Sequence, residues 1–505
     1  MNRYSQLQNI ITLDKSETYT EMEKACRQLL KKLPSNFDAL QLLGLGLVKQ
    51  GRHKEAVRIF KKALKKNNSH AGTHINLGHA YNELGKYPEA LLVLQKAIKL
   101  DPRKAVAYNN LGITLFHTKK YQESIDAYNH AIKLTPHYAQ AINNLGVCFM
   151  EMGLLHEAIE QFLKANDLEP LLTSVYIQLF QALELSHIID DALHVAQKGL
   201  EIISQPSWER LKLLMGIAII TWISGQIELS QKAINQSNFA ASYTFPRSRD
   251  IEVQKTFRRY LEKLLQIRRE QPQLYTGNPE HPLFFVGESH CLSPSETVIV
   301  YQKKEFRVLS TFIQGCKAWH LGQSERNKYK KSLEILFKSL PTKSKLVVGM
   351  GEIDCRLTEG IIPAYLEKGI DFHSSIPELV EKYVKFVSDV AKRHQHTLIF
   401  YGVPTAPKTA TDSLAAEAGK LLQNVIRLFN KHLEDACNSR GWEILDVYGL
   451  TTGEDGEPNS QFHIDSTHLH PNALAILFQS HLIASKLSSD EAVLTEDENF
   501  LNCTH

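Results

Sequence analysis

No two of the seven cysteines are spaced as CxxC, and their odd number leaves one without a partner. That pattern supports neither a disulfide framework nor a structural zinc site, so the thiols are expected to be reduced. Charge of one sign is also lacking: 58 lysines and arginines stand against 55 acids, a net charge of +3. Such a balance leaves no electrostatic footprint for nucleic acid. No run approaches the roughly 20 apolar residues of a membrane helix. The N-terminal stretch MNRYSQLQNIITLDKSETYTEM has no apolar core of signal-peptide length. The chain reads as cytoplasmic, without cofactor or metal. At 505 residues it is too long for one hydrophobic core, which stops growing near roughly 250–300 residues, and at least two domains are expected.

The first half is made of repeats. Gly44, Gly78, Gly112 and Gly146 lie 34 apart, and Pro34, Pro102, Pro136 and Pro170 keep the same period with Asn68 in the gap. Ala63, Ala97, Ala131 and Ala165 repeat it, as do Ala56, Ala90 and Ala158, with Ser124 as the one small substitute. Inside each unit, apolar residues recur at helical spacing in two stretches split by a polar turn, so each unit is predicted to be a helical hairpin. The leucine–glycine pair, the small residues and the terminal proline, all in register, resemble the tetratricopeptide repeat (TPR). The strong copies run from about 35 to 170, and weaker helical pairs follow. Stacked hairpins leave a concave face suited to a peptide or protein partner. Asn76, Asn110 and Asn144 recur once per unit on that pattern. A similar asparagine ladder lines the solenoid of O-linked N-acetylglucosamine transferases, and the resemblance implies peptide binding; the other reading is that these amides cap or cross-link adjacent helices. The repeat domain is assigned to residues 1–240.

Residues 241–279 read as a linking helix, basic and amphipathic, and a linker, and across the turn-rich QLYTGNPEHP the pattern changes. Short apolar runs (LFFVG, TVIVY, KLVVGM, HTLIFYGVP) alternate with helical segments, which implies a parallel sheet covered on both faces. A 275–490 fragment is expected to fold by itself. Ligands of such sheets sit beyond the carboxyl ends of the strands, where LFFV is followed by Gly287, Glu288, Ser289 and His290. A serine there needs a base held by an acid. Asp465 and His468, three apart in FHIDSTHLHP, supply both.

Residues 280–487 resemble the SGNH (GDSL) hydrolases. Gly287–Ser289 stands at the family's Gly-Asp-Ser, Asp465–His468 at its Asp-x-x-His, and Gly315 at its second-block glycine. The resemblance implies a three-layer α/β fold with a flavodoxin-like parallel sheet and an acyl-ester substrate. It also makes Ser289 the nucleophile, His468 the base, Asp465 its orienting acid, and the Ser289 and Gly315 amides oxyanion donors. The third block departs: GMGEIDCR places Ile353 where the family has an oxyanion-donating asparagine, followed by Asp354, which is assigned with Gly315 and Arg356 to the oxyanion and substrate contacts. Arg356 either replaces that donor or clamps an anionic substrate group. Cys291, Cys316 and Cys355 fall inside the blocks and read as small apolar packing, while His290, His320 and His470 read as supporting residues. The acidic tail, 488–505, reads as disordered. Two functions follow: a TPR-docked esterase or acyl transferase, or a scaffold whose hydrolase-like half is catalytically impaired.

Overall fold

The computed structural model describes residues 12, 18–243, 249–357, 360–406, 416–453, 459–465 and 467–480; the acidic tail lies outside them. Two compact units divide between Val175 and Tyr176.

In the first unit, helices from Tyr19–Lys32 to Leu155–Leu168 follow one another as hairpins. The repeated glycines sit where helices touch: a Cβ on Gly44, Gly78, Gly112 or Gly146 would lie 2.4, 2.5, 2.5 or 2.7 Å from Phe60, Leu94, Tyr128 or Phe162. Those four partners keep the same period. Each glycine is therefore the socket for one large side chain of the second helix, a fit that extra volume would destabilise. Ser124 replaces alanine without loss because its hydroxyl donates to the Gly112 carbonyl at 2.7 Å. The hairpin turn needs a left-handed residue after the first helix, supplied by Gly51, Gly85 and Gly153 at φ of 72°, 67° and 73°. Lys119 and His187 hold the same slot at φ 60° and 57° without glycine, so the turn register runs on through the fifth unit.

In the second unit, helices Thr173–Leu185, Ile189–Ile202, Trp208–Ile223 and Ile227–Gln236 are still paired, but the contact boundary falls well before residue 240. The strands are β1 His281–Gly287, β2 Val298–Tyr301, β3 Lys304–Phe312, β4 Lys345–Gly349, β5 Thr397–Tyr401 and β6 Glu443–Leu445. They form one sheet in the order β2-β3-β1-β4-β5-β6, with β2 antiparallel to β3 and every other pair parallel. Counting the parallel strands alone gives the order 2-1-3-4-5, a doubly wound arrangement whose ligand crevice lies where the winding reverses, between β1 and β4.

Both faces are covered, as the continuous apolar strands require. On one face Phe285, Val347, Ile399 and Leu445 share a core with Leu474 and Phe478 and also with Trp222, Tyr260, Leu261 and Leu264. Half of that layer thus comes from helices that precede the sheet, Trp208–Ile223 and Arg249–Glu270. Trp222 is fully buried and its Nε1 donates to the Leu292 carbonyl at 2.8 Å. On the other face the Tyr383 ring meets Phe400 edge-on at 5.8 Å, from the helix Phe372–Arg393, which packs against Ala416–Asn438. Within the segment expected to be a linking helix and linker, 241–279, the helix Arg249–Glu270 contributes core rather than tether.

Candidate active site

Gly287 and Gly349 are register partners at the carboxyl ends of β1 and β4, and the Glu288 N–H bonds the Gly349 carbonyl at 3.3 Å. The GESH and GMGEID loops therefore emerge side by side at the switch point. Ser289 opens a short 3-10 turn, Ser289–Leu292, and is buried.

The partner loop orders itself. Asp465 Oδ1 accepts from the Thr467 and His468 N–H groups at 2.8 Å each, an Asx-type turn, while His463 and Leu469 form an antiparallel bridge. The same carboxylate takes His468 Nδ1 at 2.9 and 3.1 Å. Since a carboxylate only accepts, Nδ1 carries a proton, and Nε2 is the ring nitrogen left to exchange one with another group. Burial works against ionisation of Asp465, but the His468 hydrogen bond and charge and the two N–H groups hold its carboxyl well below the usual range.

Several contacts join this loop to the serine turn. His290 Nε2 donates to the Thr467 carbonyl at 3.1 Å, across 177 residues of sequence, and Ser293 Oγ donates to Leu469 O at 2.5 Å. Burial pushes the His290 imidazole down to about 4, so it is a neutral tether and not a proton carrier. The third contact was not legible in the motifs: the Tyr260 ring stacks on His468 at 3.7 Å and 9°, and its hydroxyl reaches the Ser289 carbonyl at 3.3 Å. Lys263, one turn on, donates to Ile464 O at 2.6 Å. The His468 Nε2 atom is buried and has no hydrogen-bond partner, so the Ser289 hydroxyl is not bonded to it in this conformation.

Ser289, Gly315, Ile353 and Arg356 line one cavity of about 250 Å³. Gly315 has φ 71°, in the left-handed region that favours glycine. Arg356 holds Glu352 through Nε at 2.8 and 2.9 Å and through Nη2 at 2.5 Å. Asp354, expected as a substrate contact, faces elsewhere: its carboxylate accepts from Ala318 and Trp319 N–H at 2.8 and 3.1 Å, capping the helix Ala318–Gly322. Burial pushes that carboxyl up to about 7. His320 Nδ1 accepts from Lys317 N at 3.1 Å and His470 Nδ1 from Asn472 N at 3.2 Å, both local supports. Cys291, Cys316 and Cys355 are free and buried, and burial drives each thiol well above its ordinary value.

Glu288, His290 and Glu352 bring one ligand atom each within 4.8 Å of one another, a donor set that suits a divalent cation. Arg356 already supplies a cation to Glu352. Glu288 Oε1 accepts from the Glu352 N–H at 2.9 Å, and its Oε2 is buried without a partner. Burial, then the Glu352 charge, pushes the Glu288 carboxyl well above the usual range. The folded chain therefore keeps a proton that the unfolded chain, with an ordinary carboxyl near 4.3, has lost. Because the native state binds more protons, stability falls as pH rises from about 4.3. Glu288→Gln, which keeps the acceptor, is expected to flatten that decline by up to about 1.4 kcal/mol per pH unit within the window. Chemical denaturation from about pH 5 to about pH 8 checks this; equal slopes for both proteins mean that Glu288 is ionised.

In the repeat unit the asparagine ladder is uneven. Asn144 Nδ2 donates to Asn109 Oδ1 of the neighbouring repeat at 3.1 Å. Asn110 is buried, and its carbonyl takes Asn82 Nδ2 and Thr114 Oγ1 at 3.0 and 2.9 Å. Cross-linking is thus present at Asn144, and a peptide on this face would meet Asn76 and Asn144 before Asn110.

No curated protein matches the chain. Family models described as TPR repeat and tetratricopeptide repeat match residues 78–119 and 103–168, and one described as anaphase-promoting complex, cyclosome, subunit 3 matches 15–97. Similar solved structures include a thermophilic TPR protein of Thermus thermophilus, 22% identical over 36% of this chain and 99% of that one, with a TM-score of 0.33. PilF of Pseudomonas aeruginosa is 22% identical over 44% and 96%, with a TM-score of 0.37. MamA is 31% identical over 32% and 95%, with a TM-score of 0.29. Among the described residues no helix is long and apolar enough to cross a membrane. With the 34-residue period, the glycine sockets and the matching families together, the N-terminal part of the chain is a tetratricopeptide-repeat solenoid.

Proposed function

We propose that the second unit is a serine esterase or acyl transferase of SGNH type, and that the TPR solenoid docks the protein- or glycan-linked substrate on which it acts. The observation that carries the reading is the Asp465–His468 pair: a buried imidazole held by a carboxylate at Nδ1 and bare at Nε2, in a loop tied to the Ser289 turn. In the first step His468 Nε2 takes the Ser289 proton while Oγ bonds the acyl carbon. The C–O bond to the alcohol then breaks, and that alcohol leaves with the proton from His468. Water, or a second alcohol in a transferase, regenerates the serine in the same way. Ser289 and Gly315, both on the cavity wall, are the candidate oxyanion donors.

A second reading, a catalytically impaired domain in a TPR scaffold, is favoured by Ile353 on the wall and by the absence of a Ser289–His468 hydrogen bond. A fluorophosphonate probe separates the two. Stoichiometric labelling that is lost in Ser289→Ala supports an activated serine, whereas a wild-type chain that resists the probe leaves only the scaffold.

A further inference from the structure

The two loops that meet at the switch point carry more donors than the chemistry of Ser289 uses. Glu288 and His290 flank the serine on one loop and Glu352 lies on the other, and one ligand atom of each falls within 4.8 Å of the others. Two further features point this set at an ion. The first is an orphaned oxygen. Glu288 is 2% exposed, its Oε1 accepts from the Glu352 N–H at 2.9 Å, and its Oε2 is buried with no hydrogen-bond partner among the described residues. A buried polar atom left so is costly, and an ion would satisfy it. The second is the way His290 is held. Its Nε2 donates to the Thr467 carbonyl at 3.1 Å, which leaves Nδ1 as the nitrogen that can ligate. Metal-ligating imidazoles characteristically donate their other N–H to a carbonyl or carboxylate in this manner.

Arg356 does not exhaust the set. Its Nε and Nη2 bond Glu352, but a carboxylate offers about four lone-pair directions, and one guanidinium balances only one of two carboxylates. Carboxylates suit manganese, and an imidazole suits zinc or iron. A mixed set therefore selects a first-row divalent ion over calcium and magnesium, which prefer oxygen alone. We propose that Glu288, His290 and Glu352 bind one first-row divalent cation, which pins the GESH loop to the GMGE loop where the winding reverses between β1 and β4. Glu288 also lines the Ser289 cavity, and that cavity gives the site its access. Ligation and a proton on Glu288 exclude one another, so the ion takes the proton's place. The site does not depend on Ser289 being a nucleophile.

The test uses the full chain, stripped with a chelator, and divalent manganese as the probe, because manganese favours oxygen ligands over thiolates and the seven cysteines then do not compete. Binding is followed by loss of the free manganese signal in electron paramagnetic resonance, and ligation by nitrogen modulation of the bound ion's spin echo. One ion per chain, with nitrogen coupling, is expected. Glu288→Gln keeps the acceptor for the Glu352 N–H but removes the charged ligand. It should weaken binding at least about 100-fold, the upper end of the roughly 10–100-fold typical of a residue that only supports a ligand. His290→Gln should abolish the nitrogen coupling, and the near-isosteric Glu288→Gln carries the test where circular dichroism shows that His290→Gln fails to fold. A chain that binds no manganese, or binds it equally well as Glu288→Gln, overturns the proposal. Nitrogen coupling that survives His290→Gln and vanishes in His468→Ala places the ion on the other imidazole and overturns the ligand set.

Discussion

Ser289→Ala and His468→Ala are each expected to lower kcat for a short-chain aryl ester by at least about 10³–10⁴-fold, and the double variant by little more. Residues that act as a unit lose their effect together, so the second deletion removes nothing that the first has left. The geometry sharpens the expectation. Because His468 Nε2 has no partner and the ring is held by Asp465 and Tyr260, proton transfer requires the Ser289 hydroxyl to come within hydrogen-bond reach of it. Asp465→Asn should cost less than either deletion, since the Tyr260 stack and the loop bridge still orient the ring. Tyr260→Phe keeps the stack and should be mild. Tyr260→Leu should lower kcat more than it raises KM and should shift the pH–rate profile, which a merely structural role would not do. Arg356→Ala should slow turnover if the guanidinium serves the oxyanion, and should mainly raise KM if it holds substrate. Wild-type protein that turns over no short ester, charged or neutral, would sink the enzyme reading.

Equally large is the expected effect of cutting the chain at the apparent domain boundary. A fragment starting at residue 275 is now expected to be unfolded, and one spanning 176–487 to fold cooperatively. The shorter fragment loses Trp222, Tyr260, Leu261 and Leu264, all essentially fully buried against the sheet, along with Leu211, Leu214, Met215 and Ile219. Fully burying one large apolar side chain contributes roughly 1.5–3 kcal/mol. Eight such losses reach or exceed the roughly 5–15 kcal/mol that holds a typical native state together. Circular dichroism and thermal melts of the two fragments decide the matter. A cooperative transition in the 275–490 fragment would show that the helices ahead of the sheet are an accessory.

Much of the candidate site was legible because its chemistry is local. Asp465 and His468 are three residues apart, and the turn that pairs them is built from their own backbone groups. Ser289 follows a strand, and the end of a parallel strand is where such sheets open. Tyr260 left no comparable mark: an aromatic at a buried helical position looks the same in the sequence whether it packs on a leucine or on an imidazole. Asp354 misled for a related reason, because a carboxylate next to a motif reads as chemistry until its backbone partners, Ala318 and Trp319, are seen.

The sequence by itself determined the solenoid, since each hairpin packs on its neighbours and every contact recurs one period later. It also determined the parallel strands and the Asp465–His468 pair. Only the tertiary structure decided that the helices from Thr173 onward belong with the sheet, that Tyr260 covers His468, and that Lys212 and Arg249 join the cavity of Ser289. Those contacts follow from strand order and from which face a helix covers. They join residues whose spacing along the chain carries no period, so no pattern in the sequence could announce them.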